Sequence, residues 1–72
     1  VQYEALIHGR WWAVVRFDSA HGSPHKDVLL PNGEEIKSFY PGYANAEVLT
    51  IGRRDIMENW RRYRKAYEME MK

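Results

Sequence analysis

Val1-Gln2-Tyr3-Glu4-Ala5-Leu6-Ile7-His8-Gly9-Arg10-Trp11-Trp12-Ala13-Val14-Val15-Arg16-Phe17-Asp18 opens the chain with period-two alternation. Val1, Tyr3, Ala5 and Ile7 alternate with Gln2, Glu4, Leu6 and His8; beyond Gly9, Trp11, Ala13, Val15 and Phe17 alternate with Trp12, Val14, Arg16 and Asp18. Period two over two such runs predicts an antiparallel hairpin. Bringing both apolar sets to one face requires an odd loop, Ile7-His8-Gly9 with Gly9 in the left-handed region; a two-residue His8-Gly9 turn would mismatch the faces. The second face is then not purely polar, because Leu6, Trp12 and Val14 stand on it beside Glu4, Arg16 and Asp18. Adjacent strand residues face opposite sides, so one of Trp11 and Trp12 is core and the other is not. Trp12 is the one expected beside Arg16 and Leu6, where it could anchor a protein partner or stack a base.

Outward from this hairpin, Lys26 to Leu30 reads as a third strand, Pro31-Asn32-Gly33 as a tight turn and Glu34 to Phe39 as a fourth strand. Tyr40-Pro41-Gly42-Tyr43 turns the chain off the sheet, and Asn45 is a plausible helix cap. From about Ala46 to Met69 the period becomes helical, with Leu49, Ile56, Trp60, Tyr63 and Tyr67 on an inward arc and Arg54, Glu58, Arg61 and Lys65 opposite. A helix of about 22 residues spans roughly 33 Å, long enough to cross every strand. Gly52, on the inward arc, allows either a close backbone approach or a kink. The expectation is an α+β fold: a single domain over residues 1–72, with a four-stranded, mainly antiparallel meander and one long C-terminal helix packed across one face. The chain begins inside a strand-like run, which leaves room for a lost preceding strand.

Seventy-two residues support one modest core, so a homodimer or an obligate protein partner is expected to cover what remains. Hydrophobic content of 44% and charged content of 29% fit a soluble globular chain, and no window approaches a membrane span. No signal peptide is visible. Without cysteine there is neither a disulfide framework nor a thiolate zinc site, and a reducing cytoplasm is the easier home. Net charge is +1, yet six of the eleven Lys and Arg lie between Arg53 and Lys65. Arg54, Arg61 and Lys65 are therefore candidate phosphate contacts, against the plainer reading of a solvated helix face.

Chemistry concentrates between Arg16 and Asp27. His21 and His25 can each move a proton near neutral pH, and Arg16 could stabilise a pentavalent phosphate, which together would make a metal-independent ribonuclease site with Asp18. In that arrangement His21 leans on the Asp18 carboxylate, and the freer His25 acts as general acid or base. The structural alternative has Asp18 in an Asx turn, His21 donating to a carbonyl, and Arg16 paired with Asp27 or Asp18. A third reading takes Asp18, His21, His25 and Asp27 as donors for zinc, nickel or manganese, although Pro24 constrains the loop. His8 reads as a turn residue. No pattern requires a cofactor, and the site is expected to be metal-free.

The run from Val14 to Asp27, with Asp55-Ile56 and Asn59-Trp60-Arg61-Arg62-Tyr63, resembles small prokaryotic proteins of unknown function over residues 4–67. Within its R-[FY]-D-x-A-H-G-x-P-H-x-D motif, the R-[FY]-D-x-A-H-G-x-x-H core is also similar, over about residues 12–27, to TumE-like toxin components encoded beside small DNA-binding antitoxins. The resemblance implies a cytoplasmic prokaryotic protein, a toxin–antitoxin-like component acting on or binding RNA, with Arg16, Asp18, His21 and His25 as the motif positions. Asp27 stands near the place where the toxin-like group often has a further histidine. The alternative is a non-catalytic interaction module in which the His/Asp/Arg loop is structural.

Overall fold

The computed structural model describes residues 1–19 and 23–71. The strands are β1 (Gln2–Ile7), β2 (Arg10–Asp18), β3 (His25–Leu29) and β4 (Glu35–Phe39), followed by the helix α1 (Asn45–Glu70). All three strand pairings are antiparallel and the sheet order is β1-β2-β3-β4, the expected meander, with α1 on one face. Among the described residues no helix is long and apolar enough to cross a membrane.

The first hairpin departs from expectation in an instructive way. Ile7 pairs with Arg10, so the loop is the two-residue His8-Gly9 turn, with φ of 52° and 76°. Positive φ at both positions matches the twist of the flanking strands. The mismatch of faces is resolved by a β-bulge: Glu4 pairs with Ala13 but Tyr3 with Val15, leaving Val14 as the extra residue. Side chains on β2 consequently change phase in mid-strand. Before the bulge Trp12 points to the helix, its ring 6.2 Å from that of Tyr67, and after it Val15 and Phe17 do. Buried Val14 also joins the core with Ala5, Ile7 and Tyr67. Trp12 is therefore a packing residue, and Trp11 is the exposed one.

The second hairpin is as read. Leu30 N–H donates to Glu34 O (2.9 Å), Gly33 N–H donates to Leu30 O (3.0 Å), and Gly33 has φ of 90°. This is a three-residue loop, a turn closed by a left-handed glycine. Asn32 Oδ1 accepts the Glu34 N–H at 2.9 Å, and Pro31 and Pro41 bracket β4.

The helix starts from Ala44, with Asn45 already inside it, and Glu47 reaches back to accept the Ala44 N–H at 2.9 Å. Val48, Gly52 and Tyr67 are its buried residues, with Ile56 and Tyr63 packed alongside, while Leu49 is exposed. Val48 meets Val15 and Phe17 whereas Tyr67 meets Ala5, Ile7 and Val14, so the helix runs lengthwise over β1 and β2. It touches β3 and, among the described residues, makes no contact with β4. The expected crossing of every strand does not occur. A Cβ on Gly52 would lie 2.6 Å from Phe17 Cγ, so this glycine serves close approach of helix to sheet.

Candidate functional site

After the bulge, Arg16 and Asp18 of β2 face away from the helix, as do their β3 partners Asp27 and His25 and the β4 residues Lys37 and Phe39 opposite those. The meander thus lays a polar row, Arg16-Asp27-Lys37, across three strands of the outer face. Asp27 is its centre and is 1% exposed. Arg16 Nε and one Nη donate to Asp27 Oδ2 at 3.4 and 3.3 Å, and the same Nη reaches Glu35 Oε2 at 3.4 Å. Lys37 Nζ lies 3.3 Å from Asp27 Oδ1 and 3.6 Å from Glu35 Oε1. Burying a carboxylate is costly unless cations and donors surround it, and here Arg16 and Lys37 do, with His25 Nε2 also facing it.

His25 is 5% exposed. Its Nδ1 lies 2.8 Å from the Ser23 carbonyl oxygen and its Nε2 3.4 Å from Asp27 Oδ2, while its ring packs 5.7 Å from that of Phe39. Both ring nitrogens thus face protein oxygens, where the sequence reading has His25 as the freer of the two histidines. Asp18 Oδ1 accepts the N–H of the next residue, Ser19, at 2.7 Å. His21, and with it the His21–Asp18 pair, lies outside the described residues. Of the proposed metal donors Asp18, His21, His25 and Asp27, the described ones form no cluster of three or more His, Asp or Glu able to hold an ion.

The helix cations stand on the other side of the sheet from this row. Arg54, Arg61 and Lys65 are exposed, and the Arg61 guanidinium sits 5.0 Å above the Trp60 ring. Between helix and β3 lies a groove of about 450 Å3, lined in part by Lys26, Asn59, Arg62 and Tyr63. There Asp55 accepts the Tyr63 hydroxyl and the Asn59 amide and lies 3.7 Å from Lys26 Nζ, tying α1 to β3. The Tyr63 phenol is pushed well above its ordinary value, first by burial, then by the hydrogen bond to Asp55 and by that carboxylate's charge. Tyr40 is raised by burial and by the charge of Asp55, and Tyr3 chiefly by burial.

Sequence reasoning missed Trp11, Glu35, Lys37 and Phe39. Trp11 is 67% exposed on the outer face, opposite Leu6 at 46%. Its exposure depends on the turn and bulge. Lys37 was findable: a three-residue loop at Pro31-Asn32-Gly33 pairs Leu30 with Glu34 and hence Asp27 with Lys37.

A family model described as Domain of unknown function (DUF7718) matches residues 1–72 of the chain. No curated protein and no solved structure matches it.

Proposed function

We propose that this chain, which belongs to the DUF7718 family, is a non-catalytic protein-interaction module whose docking surface is the outer sheet face at the β1–β2 hairpin. The observation that carries this reading is the Trp11–Leu6 cross-strand pair, a tryptophan 67% exposed beside a half-exposed leucine. Tryptophan supplies a disproportionate share of binding energy at protein interfaces, and a large apolar pair on an open sheet face favours a protein ligand. Arg16, His25 and Asp27 act in this reading as the internal brace that keeps the face flat and fixed. A partner held in this way is compatible with a cytoplasmic toxin–antitoxin-like setting.

The competing proposal is binding or cleavage of RNA through Arg16 to Asp27, with Arg54, Arg61 and Lys65 as further phosphate contacts. Two measurements separate them. In affinity purification from a prokaryotic host, a discrete protein should be retained by the wild type and lost from Trp11→Ala by roughly 30-fold, as for an interface hot spot. Single-stranded RNA incubated with the purified protein should stay intact. Cleavage that disappears in folded His21→Ala or Arg16→Ala variants would replace the module with an enzyme.

A further inference from the structure

The fourth strand is exposed at all five of its residues, and the helix leaves it uncovered. One edge of β4 pairs with β3; the other pairs with no strand among the described residues and is open in that sense. The phase of its hydrogen bonds follows from the turn: Leu30 N–H donates to Glu34 O and Tyr40 N–H to Pro24 O, so residues 34, 36, 38 and 40 point their backbone groups at β3. Glu35, Lys37 and Phe39 therefore direct theirs to the open edge. Side chains alternate independently of this. Glu35 and Lys37 lie on the outer face, and Ile36 lies on the helix side, 57% exposed beyond the reach of the helix.

We propose that β4 is a self-recognition edge, which pairs antiparallel with β4 of a second copy about a two-fold axis through Ile36. In that register Glu35 of each copy stands opposite Lys37 of the other, and both are residues whose N–H and C=O face the edge. Two reciprocal pairs make four backbone hydrogen bonds, and each pair sets a carboxylate beside an ammonium. Ile36 meets Ile36 of the second copy on the helix side, as a close pair that covers both. Moving the register by one pairing step either way centres the axis elsewhere. About Lys37 it opposes two ammonium groups, and about Glu35 two carboxylates. The charge sequence Glu-Ile-Lys thus selects a single register.

The other open edge does not offer this. On β1 the residues facing outward are Gln2, Glu4 and Leu6, because Ala5 and Ile7 are engaged with β2 and Val1 O accepts from Phe17 N–H. Centred on Glu4, self-pairing opposes two carboxylates; displaced registers pair Glu4 with Gln2 or Leu6. No register there joins opposite charges. Joining through β4 gives a continuous sheet of eight strands, four from each copy, with both helices on one face. It leaves the Trp11–Leu6 pair of each copy on the opposite face, so this interface stands apart from the docking surface proposed above.

Ile36→Cys tests the register directly, since the chain has no other cysteine. Facing residues of a non-hydrogen-bonded antiparallel pair have Cα atoms about 4.5 Å apart, within disulfide range. Under mild oxidation Ile36→Cys should convert almost wholly to a covalent dimer, whereas Ser38→Cys, displaced from the axis, should stay uncoupled. In sedimentation velocity the wild type should run as a dimer and Lys37→Glu as a monomer. Because Lys37 also neutralises Asp27, the circular dichroism of Lys37→Glu is recorded alongside. If that variant unfolds, the cysteine pair decides alone. A wild-type monomer at high micromolar concentration, or equal cross-linking of Ile36→Cys and Ser38→Cys, would overturn the proposal.

Discussion

The two hairpins have similar strands and tight turns, yet they are stabilised by different physics. The β1–β2 hairpin lies under the helix and supplies Ala5, Ile7, Val14, Val15 and Phe17, each nearly inaccessible to solvent. The β3–β4 hairpin supplies no fully buried apolar side chain to either cluster; its buried residues are His25 and Asp27. Apolar contact with a helix holds one half, while a polar row and backbone pairing hold the other. A small chain can therefore keep a rigid core and still carry a strand whose open edge and both faces are available to something else.

The contrast is broken most sharply at Phe17. Phe17→Ala empties the space beneath Gly52 and Val48 and should lower unfolding free energy by about 3 to 5 kcal/mol, a large share of what a domain this small possesses. The corresponding truncation in the other hairpin, Ile36→Ala, should stay within about 0.5 kcal/mol at high dilution. Urea titrations of the two variants measure the comparison. Similar losses for both would mean that the second hairpin is packed after all.

A smaller effect sharpens the polar half of the picture. His25→Ala removes the bond to the Ser23 carbonyl, the contact of Nε2 with Asp27, and the contact with Phe39. It should cost about 1 to 3 kcal/mol by denaturant titration. The sequence reading, which takes His25 as the freer histidine, implies a smaller loss. An unchanged midpoint would return His25 to the list of candidate reactive groups.

The smallest effect concerns the seam between the halves, where Tyr63 and Lys26 meet at Asp55. The Tyr63 proton is held more tightly in the folded chain than in the unfolded one. Stability is therefore unaffected by this group below the ordinary tyrosine value of about 10 and falls as pH rises past it. Tyr63→Phe removes the titrating group, so its urea midpoint should drop less between about pH 8 and about pH 11 than that of the wild type. Identical alkaline slopes would show that Tyr63 ionises without opening the seam.

Much of this architecture was legible before any coordinates. Period two up to Phe39 and period 3.6 beyond Asn45 give the α+β meander, and Pro31-Asn32-Gly33 names its own turn. The bulge was not legible, because Val14 is an ordinary strand residue and nothing in its type marks it as the one without a partner. Strict alternation then assigned the wrong tryptophan to the open face. The candidate site was half legible: Arg16, His25 and Asp27 do converge, but Lys37 and Glu35 complete the row from a strand ten residues further on. Burial of His25 depends on Phe39, which lies fourteen positions away and approaches only through pairing.

The placement of the three tryptophans has an optical consequence. Trp11 and Trp12 lie on β2 and Trp60 on the helix, and Trp12 is held by Tyr67 and by its Nε1–H to the Ile7 carbonyl at 3.3 Å. Trp60 stands edge-on to Tyr3 of β1. Trp12 and Trp60 thus sit at the contact of helix and sheet, and their emission records separation of α1 from β1 and β2, whereas Trp11 is exposed on the outer face throughout. Detachment of β4 would pass without a change in colour or intensity. Fluorescence-monitored melting of this protein reports one hairpin, and a label on the fourth strand is needed to see the other.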